Sequence, residues 1–222
     1  MDIRSLIKNL NEIISVSGST NCKVLNVTGD SRQVQAGTLF VAVPGMKVDG
    51  HDFISQALDK GAVAVIGEKN LKLDDGKTYI RVKSSRIALA ETSSWFYGYP
   101  AEKLKIIGVT GTNGKTTITY LIQAILNKVG AKTGVIGTIG NVIRDEKLPA
   151  KYTTPEAPEL HKLMYDMLKQ QVEYVTMEVS SHSLKLHRVD GIDFELGIFT
   201  NLTQDHLDFH GTIEDYFHSK QK

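Results

Sequence analysis

The residues Gly111-Thr112-Asn113-Gly114-Lys115-Thr116-Thr117 are the segment of this sequence best suited to chemistry on phosphate groups. A glycine-rich loop that ends in Lys-Thr and leads into a helix offers backbone N–H groups to an anion. From this position Lys115 can reach the β- and γ-phosphates of a nucleotide, and the Thr116 hydroxyl can ligate Mg²⁺. The loop is shorter than the standard pattern, because Val109 stands where the first glycine is usual. The segment therefore predicts a nucleotide site, with a plain strand–helix turn as the simpler alternative.

Polar side chains also stand where later strands are expected to end. Glu178 comes at the end of an otherwise apolar strand predicted over residues 173–179. A buried carboxylate needs a cation or hydrogen bonds, and Mg²⁺ is the natural partner beside a phosphate loop. A structural salt bridge is the alternative. The segment Thr153-Thr154-Pro155-Glu156 precedes a predicted helix, and an ordinary N-cap with proline in the first turn would also explain it.

Histidines are concentrated near the end of the chain, where five of the seven lie between residues 182 and 218. His206 and His210 are four residues apart, with Asp205 and Asp208 beside them. In isolation this spacing permits a transition-metal site, but no further His or Cys has a convincing ligand spacing. The carboxylates and hydroxyls of this region fit a hard cation shared with ATP better.

The composition excludes several classes of protein. The 222 residues are 41% hydrophobic and 23% charged, which is ordinary for a soluble globular protein. The 26 basic residues balance 25 acidic ones, and this near-neutral charge argues against a nucleic-acid partner. The single cysteine, Cys22, excludes an intramolecular disulfide framework and fits a reducing compartment. No stretch has the pattern of a signal peptide or a membrane span, so we expect a cytoplasmic protein.

Residues 1–100 are expected to form a small N-terminal α/β domain. A helix is predicted over residues 1–14, and Asp52 is the expected N-cap of a second helix over residues 53–60. A third helix is predicted over residues 85–97. Short apolar runs predict the strands, which cover residues 23–27, 38–43, 62–66 and 79–82.

Residues 104–222 are expected to form a central domain built around the phosphate loop. Its strands are predicted over residues 104–109, 133–138, 173–179 and 195–199, with a polar hairpin over residues 141–151. Helices are predicted after the loop, from Pro155 and from Thr212. An apolar stripe on the first of them is expected to face the sheet, with Ile118, Leu121, Ile122, Ile125, Leu126 and Val129 as members. The alternation favours a mostly parallel, doubly wound α/β sheet. Because the chain ends at Lys222, inside the last helix, we expect this domain to be truncated.

Three motifs together resemble the Mur ligase family: GTNGKTT at residues 111–117, EVSSHSL at 178–184 and NLTQDHLD at 201–208. Further segments resemble the MurE-type subfamily, which adds the third residue of the peptidoglycan stem peptide. They are residues 30–32, 48–51, 153–154 and 210–220. The resemblance covers the whole chain. It implies an ATP-dependent ligase in which a carboxylate of UDP-MurNAc-L-Ala-D-Glu is phosphorylated and a diamino acid then displaces the phosphate.

The resemblance implies roles for the residues of the phosphate site. Lys115 would hold the β- and γ-phosphates of ATP, Thr116 and Glu178 would ligate a first Mg²⁺, and His206 would hold a second Mg²⁺. In the family, the lysine at the position of Lys220 is carbamylated. This CO₂ adduct turns a cation into an anion, which can lie beside Mg²⁺ where an ammonium group would be repelled. A solvated helix lysine is the alternative for Lys220.

The resemblance also implies substrate contacts. Ser31 resembles the uridine contact, so residues 1–100 would bind the UDP-sugar and residues 104–222 would bind ATP. The contacts to the muramoyl-dipeptide are implied for Thr153, Thr154, Ser180 and Arg188. Many relatives carry Gln two residues before this arginine, and Leu186 takes that position here, so a hydrogen bond from that Gln is absent or replaced.

Two limits and two alternatives accompany this interpretation. The family has a C-terminal domain that selects the amino acid, so we expect residues 1–222 alone to have little or no ligase activity. We also expect the protein to be a monomer. Either meso-diaminopimelate or L-lysine could be the diamino acid. One alternative is another Mur or folylpolyglutamate-type ligase. The other is a nucleotide-binding module without catalytic activity.

Overall fold

The computed structural model describes residues 1–46, 48–73 and 76–221, which divide into the units Met1–Phe96 and Tyr97–Lys222. Both units are α/β, as the sequence predicts, and both have mostly parallel sheets, which the sequence predicted for the second unit. Lys222, the last residue of the predicted final helix, lies outside the described residues. Across the described part of the chain, no helix has both the length and the apolar character needed to cross a membrane.

The first unit is a sheet with helices packed on it. Its helices are α1 (Ile3–Asn9), α2 (Ile54–Asp59) and α3 (Ser85–Phe96). Its strands are β1 (Ile13–Ser17), β2 (Asn26–Thr28), β3 (Thr38–Val41), β4 (Ala64–Gly67) and β5 (Thr78–Val82). The strand order is β1-β5-β4-β3-β2, and only the β1–β5 pair is antiparallel. Phe40, Val65 and Tyr79 are buried where the sheet meets α2.

Two predictions for this unit are wrong in detail. The first helix ends at Asn9, and Glu12 takes a left-handed conformation with φ of 54° before β1 begins. The β-branched residues of β1 then pair with β5, and this pairing outweighs the weak helical pattern. Asp49, and not Asp52, caps the next helical segment by accepting from the His51 N–H. That cap begins a 3₁₀ turn over Gly50–Phe53, which continues into α2.

The second unit carries the predicted phosphate loop. Its helices are α4 (Lys115–Lys128), α5 (Ala157–Lys169), α6 (Ser181–Lys185), α7 (Leu207–His210) and α8 (Ile213–Lys220). Its strands are β6 (Lys105–Thr110), β7 (Thr133–Ile136), β8 (Asn141–Ile143), β9 (Glu146–Leu148), β10 (Tyr174–Glu178) and β11 (Leu196–Phe199). The strand order is β11-β6-β10-β7-β8-β9. The first four of these strands are parallel, and β8 and β9 form the predicted hairpin.

The strand order explains why the polar segments meet. The chain leaves β6 for β7, returns to place β10 between them, and then adds β11 on the other side of β6. The carboxyl end of β6 is therefore a topological switch point, the position where open α/β sheets bind ligands. The ends of β10 and β11 flank the phosphate loop there.

Helix α4 is rotated relative to the prediction. Thr119 and Gln123 are its buried residues, whereas Leu121, Ile125 and Val129 are exposed. The rotation is fixed at the start of the helix, because Thr116 donates its hydroxyl hydrogen to Glu178 at the end of β10. The face that begins at Thr116 therefore packs on the sheet, and one edge of the apolar stripe turns outward. The prediction that the stripe faces the sheet is wrong for Leu121, Ile125 and Val129, whereas Ile118, Ile122 and Leu126 are half-buried.

Candidate active site

The loop between β6 and α4 depends on two glycines. Gly111 has a φ of 137°, and a Cβ on it would lie 1.9 Å from Oγ1 of Thr200. Gly114 is the left-handed N-cap of α4 with a φ of 85°, and a Cβ there would meet no atom within 4 Å. One side of the loop is thus packed against the chain that follows β11, and the other side is open at a helix N-terminus. This is the geometry that an anion requires.

Residues 200–203, which follow β11, form hydrogen bonds with the loop between β6 and α4. The Thr112 N–H donates to the carbonyl of Asn201 at 2.9 Å, and the Asn113 N–H donates to its Oδ1 at 3.0 Å. The Thr112 hydroxyl lies 3.2 Å from the Tyr216 hydroxyl and 3.0 Å from the Thr203 nitrogen that donates to it. The predicted site residue Thr112 therefore forms hydrogen bonds with residues outside the loop. Thr117, another predicted site residue, is exposed in the first turn of α4.

Two lysines converge on one carbonyl oxygen of this loop. Lys115 donates to the Gly111 carbonyl at 3.0 Å and to the Thr112 carbonyl at 2.8 Å. Lys220, from α8, donates to the same Gly111 carbonyl at 2.9 Å and is only 6% exposed. Burial, reinforced by the charge of Lys115, lowers the pKa of Lys220 to about 8. Burial also lowers the pKa of Lys115, with Glu178 and Asp205 opposing this effect. Lys220 is thus buried against the loop and is not a solvated helix lysine.

Glu178 is a buried carboxylate that accepts hydrogen bonds only from neutral groups. It is 1% exposed, and Thr116 donates its hydroxyl hydrogen to Oε2 at 2.9 Å. Thr138 donates twice, from its N–H at 2.9 Å and from its hydroxyl at 3.1 Å. Gly137 makes room for the carboxylate, since a Cβ there would lie 2.3 Å from Oε1. Among the described residues Glu178 has no hydrogen bond from a cationic side chain, although its charge raises the pKa of Lys115 against the effect of burial. Oxygen donors around an unpaired carboxylate suit Mg²⁺.

Thr138 and Asn201 belong to this site but were not predicted from the sequence. Thr138 follows β7, whose carboxyl end lies next to that of β10. Its position one residue after Gly137, at the end of a predicted strand, is the feature that could have identified it. Asn201 lies in the NLTQDHLD motif, but only the packing against Gly111 shows what its amide does.

His206 lies in an aromatic group that reaches the loop through Tyr216, whose ring centroid is 6.2 Å from that of His206 and whose hydroxyl lies 3.2 Å from that of Thr112. The ring centroid of His206 is 4.9 Å from that of His182, and its Nε2 is 3.5 Å from the Asp205 carboxylate. No recorded contact joins His206 to Thr116 or Glu178 among the described residues. Those residues also contain no group of three His, Cys, Asp or Glu side chains suited to a metal ion. The second Mg²⁺ position at His206 stays a prediction.

The predicted substrate residues of the second unit lie together beside Glu178. Thr154 donates its hydroxyl hydrogen to the Glu178 carbonyl at 2.8 Å and accepts from the Ser180 N–H at 3.1 Å. The Thr153 hydroxyl lies 3.0 Å from the Thr138 hydroxyl. Arg188 donates to the Thr154 carbonyl at 3.0 Å. These polar groups line one edge of the site.

Arg188 is held by its own neighbours. Its Nη2 lies 2.5 Å from the Glu156 carboxylate, and its guanidinium carbon lies 5.1 Å from the centre of the Tyr152 ring. Its Nε is buried without a hydrogen-bond partner in the described structure. The contact of Arg188 with the muramoyl-dipeptide stays a prediction.

Ser31 belongs to the first unit, away from these contacts in the sequence. It begins a 3₁₀ turn that Asp30 caps by accepting from the Arg32 N–H at 3.0 Å. The carbonyl of Ser31 accepts from Lys60 at 2.9 Å. The turn is well formed, and the uridine contact proposed for Ser31 stays a prediction.

Comparisons with known proteins identify the family. Residues 109–222 match the Mur ligase middle domain, and residues 23–97 match the Mur ligase family catalytic domain. A UDP-N-acetylmuramoyl-L-alanyl-D-glutamate–2,6-diaminopimelate ligase from Clostridium perfringens is 51% identical over 222 residues. That alignment covers 100% of this chain and 46% of the relative, so the chain spans about half the relative's length.

Solved structures agree with the sequence matches. A structure of a UDP-N-acetylmuramoyl-L-alanyl-D-glutamate–2,6-diaminopimelate ligase superposes with a TM-score of 0.76 at 34% identity, covering 89% of this chain and 40% of that chain. The MurF ligase from Thermotoga maritima, solved in complex with ADP, superposes with a TM-score of 0.53 at 25% identity. It is covered over 42% of its length, and 88% of this chain is aligned. Since the middle-domain match alone extends over more than half of the sequence, this chain belongs to the Mur ligase family.

Proposed function

We propose that this chain supplies the nucleotide site and the UDP-sugar site of an ATP-dependent ligase. The ligase would join 2,6-diaminopimelate to UDP-MurNAc-L-Ala-D-Glu, the substrates in the names of its relatives. The observation that carries the proposal is the meeting of Lys115, Lys220 and the N-terminus of α4 around one open loop, with unpaired Glu178 alongside. Positive charge and free N–H groups fit phosphate, and the carboxylate fits its metal ion.

The chemistry follows from the weakness of a carboxylate as an electrophile. Transfer of the γ-phosphoryl group of ATP to the substrate carboxylate creates a leaving group, and the incoming amine then forms the amide as phosphate departs. Lys115 would hold the β- and γ-phosphates, and Thr116 and Glu178 would hold Mg²⁺, which neutralises phosphate charge when bound. His206 would hold a second Mg²⁺.

The remaining residues would position the acceptor. Arg188 would pair with a carboxylate of the dipeptide, while Thr153, Thr154 and Ser180 would offer hydroxyl groups to the muramoyl-dipeptide. Ser31 would bind the uridine in the first unit. Lys220 would act as a carbamate, because an ordinary ammonium group next to Lys115 repels both that lysine and a metal ion. The proposal also takes the protein to be a cytoplasmic monomer, and sedimentation velocity tests the second point.

Binding tests this proposal more directly than turnover, because the chain spans 46% of the relative's length. Calorimetry would measure the affinity of the chain for MgADP, for UDP-MurNAc-L-Ala-D-Glu and for a folate. We expect the first two to bind and the folate not to bind. Lys115→Ala should weaken MgADP about 10- to 100-fold, the range for loss of a charge-assisted hydrogen bond. Lys128→Ala, at the exposed far end of α4, is the matched control.

Each outcome separates the alternatives. Binding of the folate in place of the UDP-sugar would assign the chain to a folylpolyglutamate-type ligase. Binding of MgADP without either acceptor would favour a nucleotide-binding module. If neither MgADP nor the UDP-sugar binds, and Lys115→Ala changes nothing, the proposed function is wrong.

A further inference from the structure

The side chain of Asn201 forms a two-way pair with the main chain of the phosphate loop. Its Oδ1 accepts from the Asn113 N–H at 3.0 Å, and its Nδ2 donates to the Asn113 carbonyl at 3.2 Å. Thr200 donates its hydroxyl hydrogen to the same carbonyl at 2.7 Å. One exposed amide thus fixes both main-chain polar groups of a loop residue, as a neighbouring strand would.

This pairing sets the direction of the next N–H group. In a planar trans peptide the carbonyl and the N–H point in opposite directions. The Asn113 carbonyl points toward Thr200 and Asn201, so the Gly114 N–H of the same peptide points away from them. Among the described residues no acceptor takes this N–H. The space where a Cβ of Gly114 would stand is also open.

The opposite orientation of this peptide would harm anion binding. Gly114 tolerates conformations on both sides of the backbone map, so glycine alone does not prevent the Asn113–Gly114 peptide from rotating. A rotated peptide would direct a carbonyl oxygen, and not an N–H, toward the open side. That oxygen would repel a phosphate where the N–H would bind it.

We propose that Asn201 is a positioning residue for the nucleotide site, which clamps the Asn113–Gly114 peptide with its N–H directed toward phosphate. This inference rests on the proposed function of the loop. It also accounts for the shortened motif. A loop with fewer residues of its own is ordered by Thr200 and Asn201, which belong to the segment after the adjacent strand.

The test compares variants of the full chain by calorimetry with MgADP and by amide hydrogen exchange in NMR. Asn201→Ala should weaken MgADP by about 10- to 100-fold, since the misdirected N–H would have bonded to a charged oxygen. The Asn113 amide should exchange faster in this variant, and the melting temperature should stay close to wild type because Asn201 is exposed. Thr200→Val, which removes the second donor to the Asn113 carbonyl, should weaken MgADP in the same direction.

The matched control is Asn127→Ala. The amide of Asn127 accepts from the Thr133 hydroxyl at 2.7 Å, at the other end of α4, so this variant should bind MgADP as the wild type does. Equal MgADP affinity in Asn201→Ala and wild type would overturn the clamp and leave the proposed function intact. An unchanged exchange rate of the Asn113 amide would overturn it as well. Failure of the wild type to bind MgADP would overturn the proposed nucleotide site and the clamp together. If Asn201→Ala does not fold, Thr200→Val carries the same comparison.

Discussion

His161 should make the stability of the second unit depend on pH. The imidazole lies on α5 with none of its surface exposed, and neither ring nitrogen has a hydrogen-bond partner among the described residues. Burial in these surroundings lowers the pKa of His161 from 6.5 to about 4. The folded protein therefore keeps this ring neutral at a pH where the unfolded chain binds a proton.

The sign and size of the effect follow from this difference in pKa. Well above pH 6.5 the ring is neutral in both states and does not make the stability depend on pH. As the pH falls from 6.5 toward 4, protonation of the unfolded chain removes about 1.4 kcal/mol of stability per pH unit. The loss from this one group should reach roughly 2 kcal/mol at pH 5 and roughly 3 kcal/mol at pH 4.

His161→Leu isolates this contribution. Leucine has a similar volume and does not titrate. The loss of free energy of unfolding between pH 7.5 and pH 5 should therefore be smaller in the variant than in the wild type by roughly 2 kcal/mol. The variant should also be more stable at pH 7.5 by about 1 kcal/mol or more, because two unpaired buried nitrogens are removed. Urea unfolding followed by far-UV circular dichroism gives both values, with exposed His218→Gln as control. An equal loss of stability in His161→Leu and wild type would refute the reasoning.

The cavity for Glu178, the burial of Lys220 and the rotation of α4 each give a separate prediction. Gly137→Ala would force the Glu178 carboxylate to move at a cost of about 1–3 kcal/mol, so the Mg²⁺ dependence of ADP binding should drop about tenfold in calorimetry. An unchanged Mg²⁺ dependence would count against this geometry. In CO₂-free buffer, where Lys220 carries no carbamate, it should titrate near pH 8 in ¹³C-detected NMR, ammonium below and amine above, whereas a midpoint near 10.5 would mean that it is solvated. In urea unfolding, Leu121→Gln should change the free energy of unfolding by less than about 0.5 kcal/mol, because Leu121 is exposed, whereas Leu160→Ala should lower it by about 2–5 kcal/mol. Equal losses in the two variants would mean that Leu121 packs on the sheet as the sequence predicted.

Local patterns were enough to predict the parts of the fold that are set by local physics. The loop ending at Gly114, the strand before it and the helix after it follow from glycine conformation, apolar runs and helical periodicity. The hairpin after β7 and the helix that begins near Thr212 are confirmed for the same reason. The first helix was predicted too long, since the pairing of β1 with β5 is a contact between distant residues.

The rotation of α4 shows where periodicity fails. A stripe of apolar residues identifies a helix, but the direction of the stripe depends on what fixes the helix at its ends. Here the hydrogen bond from Thr116 to Glu178 fixes the rotation, and it joins residues 62 positions apart. Leu121 and Ile125 are consequently exposed, although the stripe that they form predicted burial.

The residues of the site that the sequence did not reveal are those recruited by strand order. Thr138 follows β7 and Asn201 follows β11, yet both act on groups at the switch point because β10 and β6 lie between those strands. Their residue types are ordinary for loops, so composition gives them no special weight. The order of the strands brings Thr138 within hydrogen-bond distance of Glu178 and places Asn201 against the phosphate loop.

The two lysines at the Gly111 carbonyl connect the charge of the site with its proposed chemistry. Ammonium groups of Lys115 and Lys220 that share one acceptor repel each other, and burial strengthens this repulsion. Phosphate would relieve it by drawing Lys115 away from the carbonyl. A carbamate on Lys220 would relieve it by reversing one charge, and the lowered pKa supplies the neutral amine with which CO₂ reacts. Phosphate and carbamate would each place negative charge beside the Gly111 carbonyl. A metal ion held by Glu178 would balance that negative charge, so it would stabilise the site and not disrupt it.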